Sequence, residues 1–350
     1  MARTDDDTHE VYRTAQNTPS GSRSSREHDT SMIAIMDHEQ RHSSDGDIQR
    51  VYYGHGALIV NLVLQVIIVC VLEGLQIQHT MTGMSKDCIM TLDVIEISQV
   101  GLVYRGLVVA ATLYQLLFCL DTIQQQSGIH LAMLLVNGLL FIVFMGIQIT
   151  QNTKWETTMQ EMGCKATSLS YPHYDHALLA VVGFLYLALV GCSVWMRQMF
   201  TTKTKAKAMM VSTTLMAFIK LDIYYLYCYS VQLVPAMILD HANMYPVELV
   251  LVPVLGTLIL SLTWYSALNN KPWLLVILAL LICLSLGYFG YRTALFAHPY
   301  PVHSDPYYIT RTSLLFVTLT LLGLLLLSMG IMLLYARCLL RGKTLFLRYR

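Results

Sequence analysis

A short segment near the amino terminus has the spacing of a zinc-protease motif. The run His38-Glu39-Gln40-Arg41-His42 matches the pattern His-Glu-x-x-His. On a helix, this spacing places two imidazoles on one face for zinc, with the glutamate as general base. The segment lies in a polar stretch with no core to fix a helix or exclude water. Chance matches are easy in a stretch rich in His and Asp, so we predict that the chain is not an enzyme.

Histidines and carboxylates also gather in the predicted loops of one side. Imidazole and carboxylate groups bind zinc or manganese, and clustered histidines can respond to a pH of about 5–6. The spacings match no standard metal motif, so we predict no metal and no cofactor and favour ordinary loop chemistry at the interface. The weak candidates for metal ligands are His38, His42, His173, His176, His298 and His303.

Two charged residues inside an apolar segment are the strongest candidates for functional chemistry. These are Lys220 and Asp222. An ionisable residue within the membrane is costly and indicates a functional site by default. Two residues two positions apart cannot face each other on a helix, so each needs its own partner. The helical rise places Lys220 roughly 16 Å from residue 209, near the middle of the membrane.

Polar residues in the other apolar segments could supply the partners of these charges. One interpretation is a hydrated path or a substrate cavity, and the other is a set of interhelical polar contacts that fix helix register. The candidate partners are Glu73, Arg105, Asn137 and Gln148, together with Asn61, Gln65, Asp121 and His130.

Long apolar segments must position all of these residues. The 350 residues are 55% hydrophobic and 13% charged, whereas soluble domains have about 25% charged residues. This composition is typical of membrane proteins, and we predict an all-α, polytopic transmembrane helical bundle of about eight spans in a lipid bilayer. The predicted spans are 56–74, 99–120, 129–149, 177–196, 209–236, 247–268, 273–290 and 313–336.

The composition also divides the chain and excludes one class of partner. Residues 1–54 are polar and cannot bury enough apolar surface to offset the entropy of ordering, so we predict a disordered cytoplasmic tail there. Residues 55–337 form the predicted transmembrane domain, and 338–350 a short basic cytoplasmic tail. A net charge of +1 lacks the basic footprint of a nucleic-acid-binding protein. The sequence does not identify protein partners.

Basic residues predict the orientation of the spans, since positive loops stay in the cytoplasm. They concentrate in 197–207, between the fourth and fifth spans, and in 337–350, after the last span. Eight spans place both segments and the amino terminus on the cytoplasmic side. A seven-span receptor would place one basic segment on the wrong side.

Two cysteines fall in loops on the predicted lumenal side. These are Cys88 and Cys164. The lumen permits disulfides, so a bridge between these two thiols is one prediction and a pair of free thiols is the alternative.

Several segments resemble an uncharacterised family of fungal Golgi-apparatus membrane proteins. The similarity is carried by Leu113-Tyr114-Gln115-Leu116-Leu117 with Asp121-Thr122-Ile123-Gln124, by Asn137 to Gln148-Ile149-Thr150-Gln151, by Lys220-Leu221-Asp222 with Ser230-Val231-Gln232, and by Arg337 to Lys343. The resemblance implies a multi-pass protein of the Golgi or another endomembrane. It transfers no catalytic residue, because the family has no established activity.

These observations favour one functional hypothesis and leave two others open. The first is an endomembrane protein without catalytic activity, with a trafficking or organisational role. The second is a transporter for protons, ions or a small solute that uses Lys220 and Asp222. The third is a receptor with a seven-span layout.

Overall fold

Eight α-helices make up the part of the protein that can be described. The computed structural model describes residues 53–82, 92–161, 172–200, 207–239, 246–269, 271–298, 307 and 309–348, and these ranges contain no strand. The helices are α1 (Tyr53–Thr82), α2 (Leu92–Gln125), α3 (Gly128–Glu161), α4 (Pro172–Phe200), α5 (Lys207–Leu239), α6 (Pro246–Leu268), α7 (Pro272–Ala297) and α8 (Arg311–Arg348).

Seven of these helices are long and apolar enough to cross a membrane: α1 to α4 and α6 to α8. This confirms the prediction of a polytopic helical bundle, and the protein is a multi-pass membrane protein. The exception is α5, which contacts α2, α3, α6 and α8. Because other helices cover so much of α5, its polar residues Asp222, Ser230 and Gln232 are buried against protein rather than lipid.

The contacts of α5 show that it crosses the bundle like the other helices. The Lys220 ammonium lies 2.6 Å from an oxygen of Asp121, one turn before the end of α2. Two turns further along α5, the Tyr229 hydroxyl donates to Glu248 at the start of α6. The end of α6 lies near Lys220, with the Trp264 ring 5.2 Å from the ammonium. α6 therefore runs antiparallel to α5 from one contact to the other, and α5 lies along α6 within the bundle.

One end of the bundle holds the α2–α3 turn and the α6–α7 turn, and we refer to it as the turn end. The carboxyl-terminal half of α8 reaches the same end, because the Tyr335 hydroxyl donates to the carbonyl of Ala267 (3.2 Å). We refer to the opposite end as the loop end. There the Gln151 amide of α3 donates to the carbonyl of Ile309, just before α8 (3.2 Å).

The predicted break between the sixth and seventh spans is confirmed as a tight hairpin. The amide of Asn269 donates to the carbonyl of Tyr265, and the amide of Lys271 to that of Ser266. Lys271 has extended backbone angles (φ −100°, ψ 90°) because the proline that follows disfavours helix there. Pro272 then occupies the first turn of α7, where its missing N–H costs nothing.

Each predicted span lies within one helix, but the helices extend beyond the spans. The largest differences are at the carboxyl ends of two helices: α3 continues to Glu161 and α8 to Arg348. Most of the predicted basic tail, 338–348, is thus helical. Apolar sequence indicates only the part of a helix that lipid can solvate. Backbone hydrogen bonding continues into polar sequence, so the helix ends could not be predicted in this way.

Gly138 lies where α3 closely approaches side chains of α2 and α4. A Cβ atom there would lie 2.9 Å from two ring carbons of Tyr186 and 3.0 Å from the Gln115 amide nitrogen. The Tyr186 ring cannot move easily, because its hydroxyl donates to the carbonyl of Leu135 (3.2 Å). We expect Gly138→Ala to destabilise the protein by about 1–3 kcal/mol through overpacking.

The measurement is the melting temperature of the purified protein, and the control is Gly146→Ala on the same helix. No atom lies within 4 Å of a Cβ atom at Gly146. The control should be neutral or stabilising, since alanine favours helix over glycine by about 1 kcal/mol. Equal melting temperatures for the two variants would contradict the close approach at Gly138.

Candidate functional site

The first polar cluster contains Lys220, whose partner is a carboxylate on α2. The ammonium lies 2.6 Å from Oδ1 of Asp121, and the two side chains are 21% and 24% exposed. The ammonium also lies 5.2 Å from the centre of the Trp264 ring, within cation–π range. The Tyr114 hydroxyl donates to the carbonyl of Lys220 (3.0 Å). Lys220 therefore ties α5 to α2 and α6.

A buried histidine shares the carboxylate of this cluster. Nε2 of His130, on α3, lies 3.6 Å from Oδ2 of Asp121, and its side chain is completely buried. The imidazole ring also stacks against Phe118, with the ring centres 6.1 Å apart. Asp121 thus lies between the ammonium of Lys220 and an imidazole, and joins three helices.

The ammonium of Lys220 lies closer to the turn end than the sequence predicts. Trp264, which it contacts, is one turn before the end of α6 at Leu268. By the helical rise, the same position is about 27 Å from the start of α6. A lysine stem can lie along apolar surface while its ammonium extends toward a polar region. The ammonium of Lys220 therefore lies further from the middle of the membrane than its Cα atom does.

Asp222 lies on the opposite side of α5 and has a different environment. It is completely buried, and Ser328 of α8 donates a hydrogen bond to its Oδ2 atom. The other carboxyl oxygen, Oδ1, has no hydrogen-bond partner among the described residues. The prediction that Lys220 and Asp222 need separate partners is confirmed.

A small cavity adjoins Asp222 between α5, α6, α7 and α8. Its volume is ≈ 20 Å³, which is enough for about one water molecule. Four helices contribute to its wall, which is otherwise apolar apart from one serine. The lining residues are Asp222 and Leu226 of α5, Gly256, Ile259 and Leu260 of α6, Ile282, Ser285 and Phe289 of α7, and Leu321 and Leu325 of α8.

A second cavity of ≈ 20 Å³ lies between α2, α3, α5 and α8. The polar residues of its lining include Asn137, Tyr224, Tyr225 and Gln232. The Tyr225 hydroxyl donates to Oδ1 of Asn137 (3.2 Å). Oε1 of Gln232 is buried and has no hydrogen-bond partner within the described ranges. The candidate Asn137 is therefore an interhelical contact beside a water-sized space.

Glu73 and Arg105 form the ion pair of another polar cluster, which lies apart from Lys220 and Asp222. Nη1 of Arg105 lies 3.1 Å from Oε2 of Glu73, so the pair joins α1 to α2. Nearby, the amides of Gln76 on α1 and Asn152 on α3 donate to the carboxylate of Asp175 on α4. Four consecutive helices are thus joined through polar side chains toward the loop end.

The remaining candidates do not join these clusters. Gln148 is buried on α3, and its Oε1 atom has no hydrogen-bond partner in the described part of the chain. Cys88, Cys164, His38, His42 and His303 lie outside the described residues, as does the side chain of His173. His176 and His298 are exposed. Within the described ranges, no three His, Cys, Asp or Glu side chains are grouped to hold a metal ion.

A further polar cluster, which was not predicted from the sequence, joins α5, α6 and α7. Arg292 is 7% exposed, and its Nη2 atom lies 3.0 Å from Oε1 of Glu248. Its Nε atom donates to the Tyr229 hydroxyl (3.0 Å), and the Tyr288 hydroxyl donates to the same oxygen of Glu248. The sequence held one indication of this cluster: Tyr229 lies on the same face of α5 as Asp222, two turns further along, so a polar partner could have been expected there.

No protein-family model, curated protein sequence or solved structure matches this chain.

Proposed function

We propose that this membrane protein is a non-enzymatic component of the Golgi apparatus or another endomembrane, with a trafficking or organisational role. The observation that supports the proposal is that charged side chains within the bundle form ion pairs between helices. Three ion pairs join different helices: Lys220 with Asp121, Arg105 with Glu73, and Arg292 with Glu248. Interhelical polar contacts of this kind fix the register of membrane helices, so these charges serve assembly of the bundle.

The proposed location rests on the sequence resemblance, and the proposed orientation on the basic segments. Both termini and residues 197–208 face the cytoplasm in this proposal. The positions of the helix ends support it. Gly54, at the start of α1, packs against Met196 near the end of α4, and the last half of α8 reaches the turn end.

The arrangement of α5 favours this proposal over a transport path that uses both Lys220 and Asp222. Their side chains point to opposite sides of the helix and have partners on different helices. The two described cavities beside α5 each have room for about one water molecule rather than a solute. In this proposal α5 also crosses the membrane, and eight crossings differ from a seven-span receptor layout.

Tags on the two termini test the location and the orientation together. In intact sealed vesicles, we expect protease to remove tags from both ends, whereas tags inserted at residues 86 and 165 should be protected. The tagged protein should co-localise with Golgi markers. A protected carboxyl terminus with an accessible amino terminus would contradict the eight-span orientation, and residence in the plasma membrane would contradict the location.

Depletion of the protein tests the proposed role. We expect resident Golgi membrane proteins to lose their normal distribution and wild-type re-expression to restore it. A folded Lys220→Met/Asp121→Asn double variant should also restore it, because an organisational role needs the bundle rather than this ion pair. An unchanged distribution after depletion would contradict the proposal.

A further inference from the structure

We propose that Asp222 is a proton-binding site whose carboxyl group holds an exchangeable proton beside a water molecule in the adjoining cavity. The inference goes beyond the organisational role, which does not require any titratable group. It concerns Asp222 alone, since Lys220 is paired on the other side of α5.

The position of Asp222 makes an unprotonated carboxylate costly. The side chain is completely buried, and the cavity beside it lies near the midpoints of α6 and α7, at Gly256 and Ser285. Ser328 supplies the one hydrogen bond that the described residues give to this carboxyl group. An isolated charge with so little compensation is far less stable in an apolar interior than the neutral acid. The group therefore holds a proton.

The free oxygen of the carboxyl group indicates where a water molecule binds. Oδ1 is buried, and no described residue forms a hydrogen bond with it. The adjoining cavity of ≈ 20 Å³ has room for about one water molecule. A water molecule bound there would complete the hydrogen bonding of Asp222 and could carry a proton to or from it.

The wall of the cavity does not suit a metal cation. Hard cations are held by several oxygen ligands. The cavity is lined mainly by aliphatic and aromatic side chains, and of the described residues that line it, only Asp222 and Ser285 have a side-chain oxygen. Asp222, Ser285 and Ser328 supply too few oxygen ligands for the coordination shell of a metal ion, so a proton fits the site better.

No other ionisable side chain lines this cavity among the described residues. The groups that α6, α7 and α8 present there are apolar side chains, Gly256 and Ser285, and Ser328 of α8 contacts the carboxyl group itself. The ionisable side chain of Tyr114, on α2, donates from its hydroxyl to the carbonyl of Lys220 (3.0 Å) rather than to Asp222. Loss of the proton would place an unpaired charge between four helices, so protonation of Asp222 should be coupled to their packing.

Infrared difference spectroscopy of the purified full-length protein tests the site directly. The wild-type spectrum minus that of Asp222→Asn should contain the C=O stretching band of a protonated carboxyl group. In D₂O the band should move to lower frequency, because the bound proton exchanges through the cavity water. If Asp222→Asn does not fold, Ser328→Ala provides the comparison, and its carboxyl band should move to higher frequency as the hydrogen bond is lost.

Two results would overturn the proposal. One is a difference spectrum that contains carboxylate bands only, which would mean that Asp222 is ionised. The other is a carboxyl band that does not move in D₂O, which would mean a sealed, structural acid. Neither result depends on where the protein resides or on what it organises, so the failure of this inference and the failure of the proposed function are distinguishable.

Discussion

Lys220→Met should lower the melting temperature of the purified protein, and adding Asp121→Asn should recover part of the loss. Removing the ammonium leaves the half-buried carboxylate of Asp121 without its cation, beside the imidazole of His130. Breaking a buried pair costs about 3–5 kcal/mol in soluble proteins. Because both side chains retain some exposure, and because membrane contacts are weaker, we expect about 1–3 kcal/mol here.

The experiment is a double-mutant cycle, in which each single variant and the double variant are melted under the same conditions. Lys271→Met is the matched control, since that lysine is exposed in the α6–α7 turn. It should leave the melting temperature unchanged. If the losses of the single variants simply add in the double variant, the two side chains do not interact, which would contradict the ion pair between Lys220 and Asp121.

Glu248→Gln should destabilise the protein more than Arg292→Met, although the two residues form one ion pair. Without the carboxylate, the buried guanidinium of Arg292 loses its compensating charge, and its partners, such as the Tyr229 hydroxyl and the face of Phe296, are neutral. Without the guanidinium, Glu248 is 25% exposed and keeps hydrogen bonds from two tyrosines. We expect losses of about 2–4 kcal/mol for Glu248→Gln and about half of that for Arg292→Met, because an unpaired buried charge is the dominant cost.

The comparison uses the fraction of monodisperse protein that survives heating, measured for both variants in parallel. Tyr291→Phe serves as the control, because this residue is 66% exposed on α7 next to Arg292. The control should behave as wild type. A larger loss for Arg292→Met than for Glu248→Gln would contradict the prediction. It would mean that an unpaired Glu248 carboxylate costs more stability than an unpaired Arg292 guanidinium.

The amino-acid sequence alone determined the number and order of the helices. A span is recognised from about 20 consecutive apolar residues, and this signal is local in the chain. The Asn269-Asn270-Lys271-Pro272 break was likewise predictable, because proline constrains the residue before it. The separate partners of Lys220 and Asp222 also followed from the sequence, since residues two apart point to different sides of a helix.

Only the tertiary structure decided which residues are partners. Asp121 is 99 positions from Lys220, and Ser328 is 106 positions from Asp222. The energetic cost of a buried charge shows that a partner is needed, but packing of the helices selects it. The same limit explains why the pair of Glu248 and Arg292 was missed. Each lies near the end of its helix, where the sequence cannot distinguish an exposed charge from one that a neighbouring helix buries.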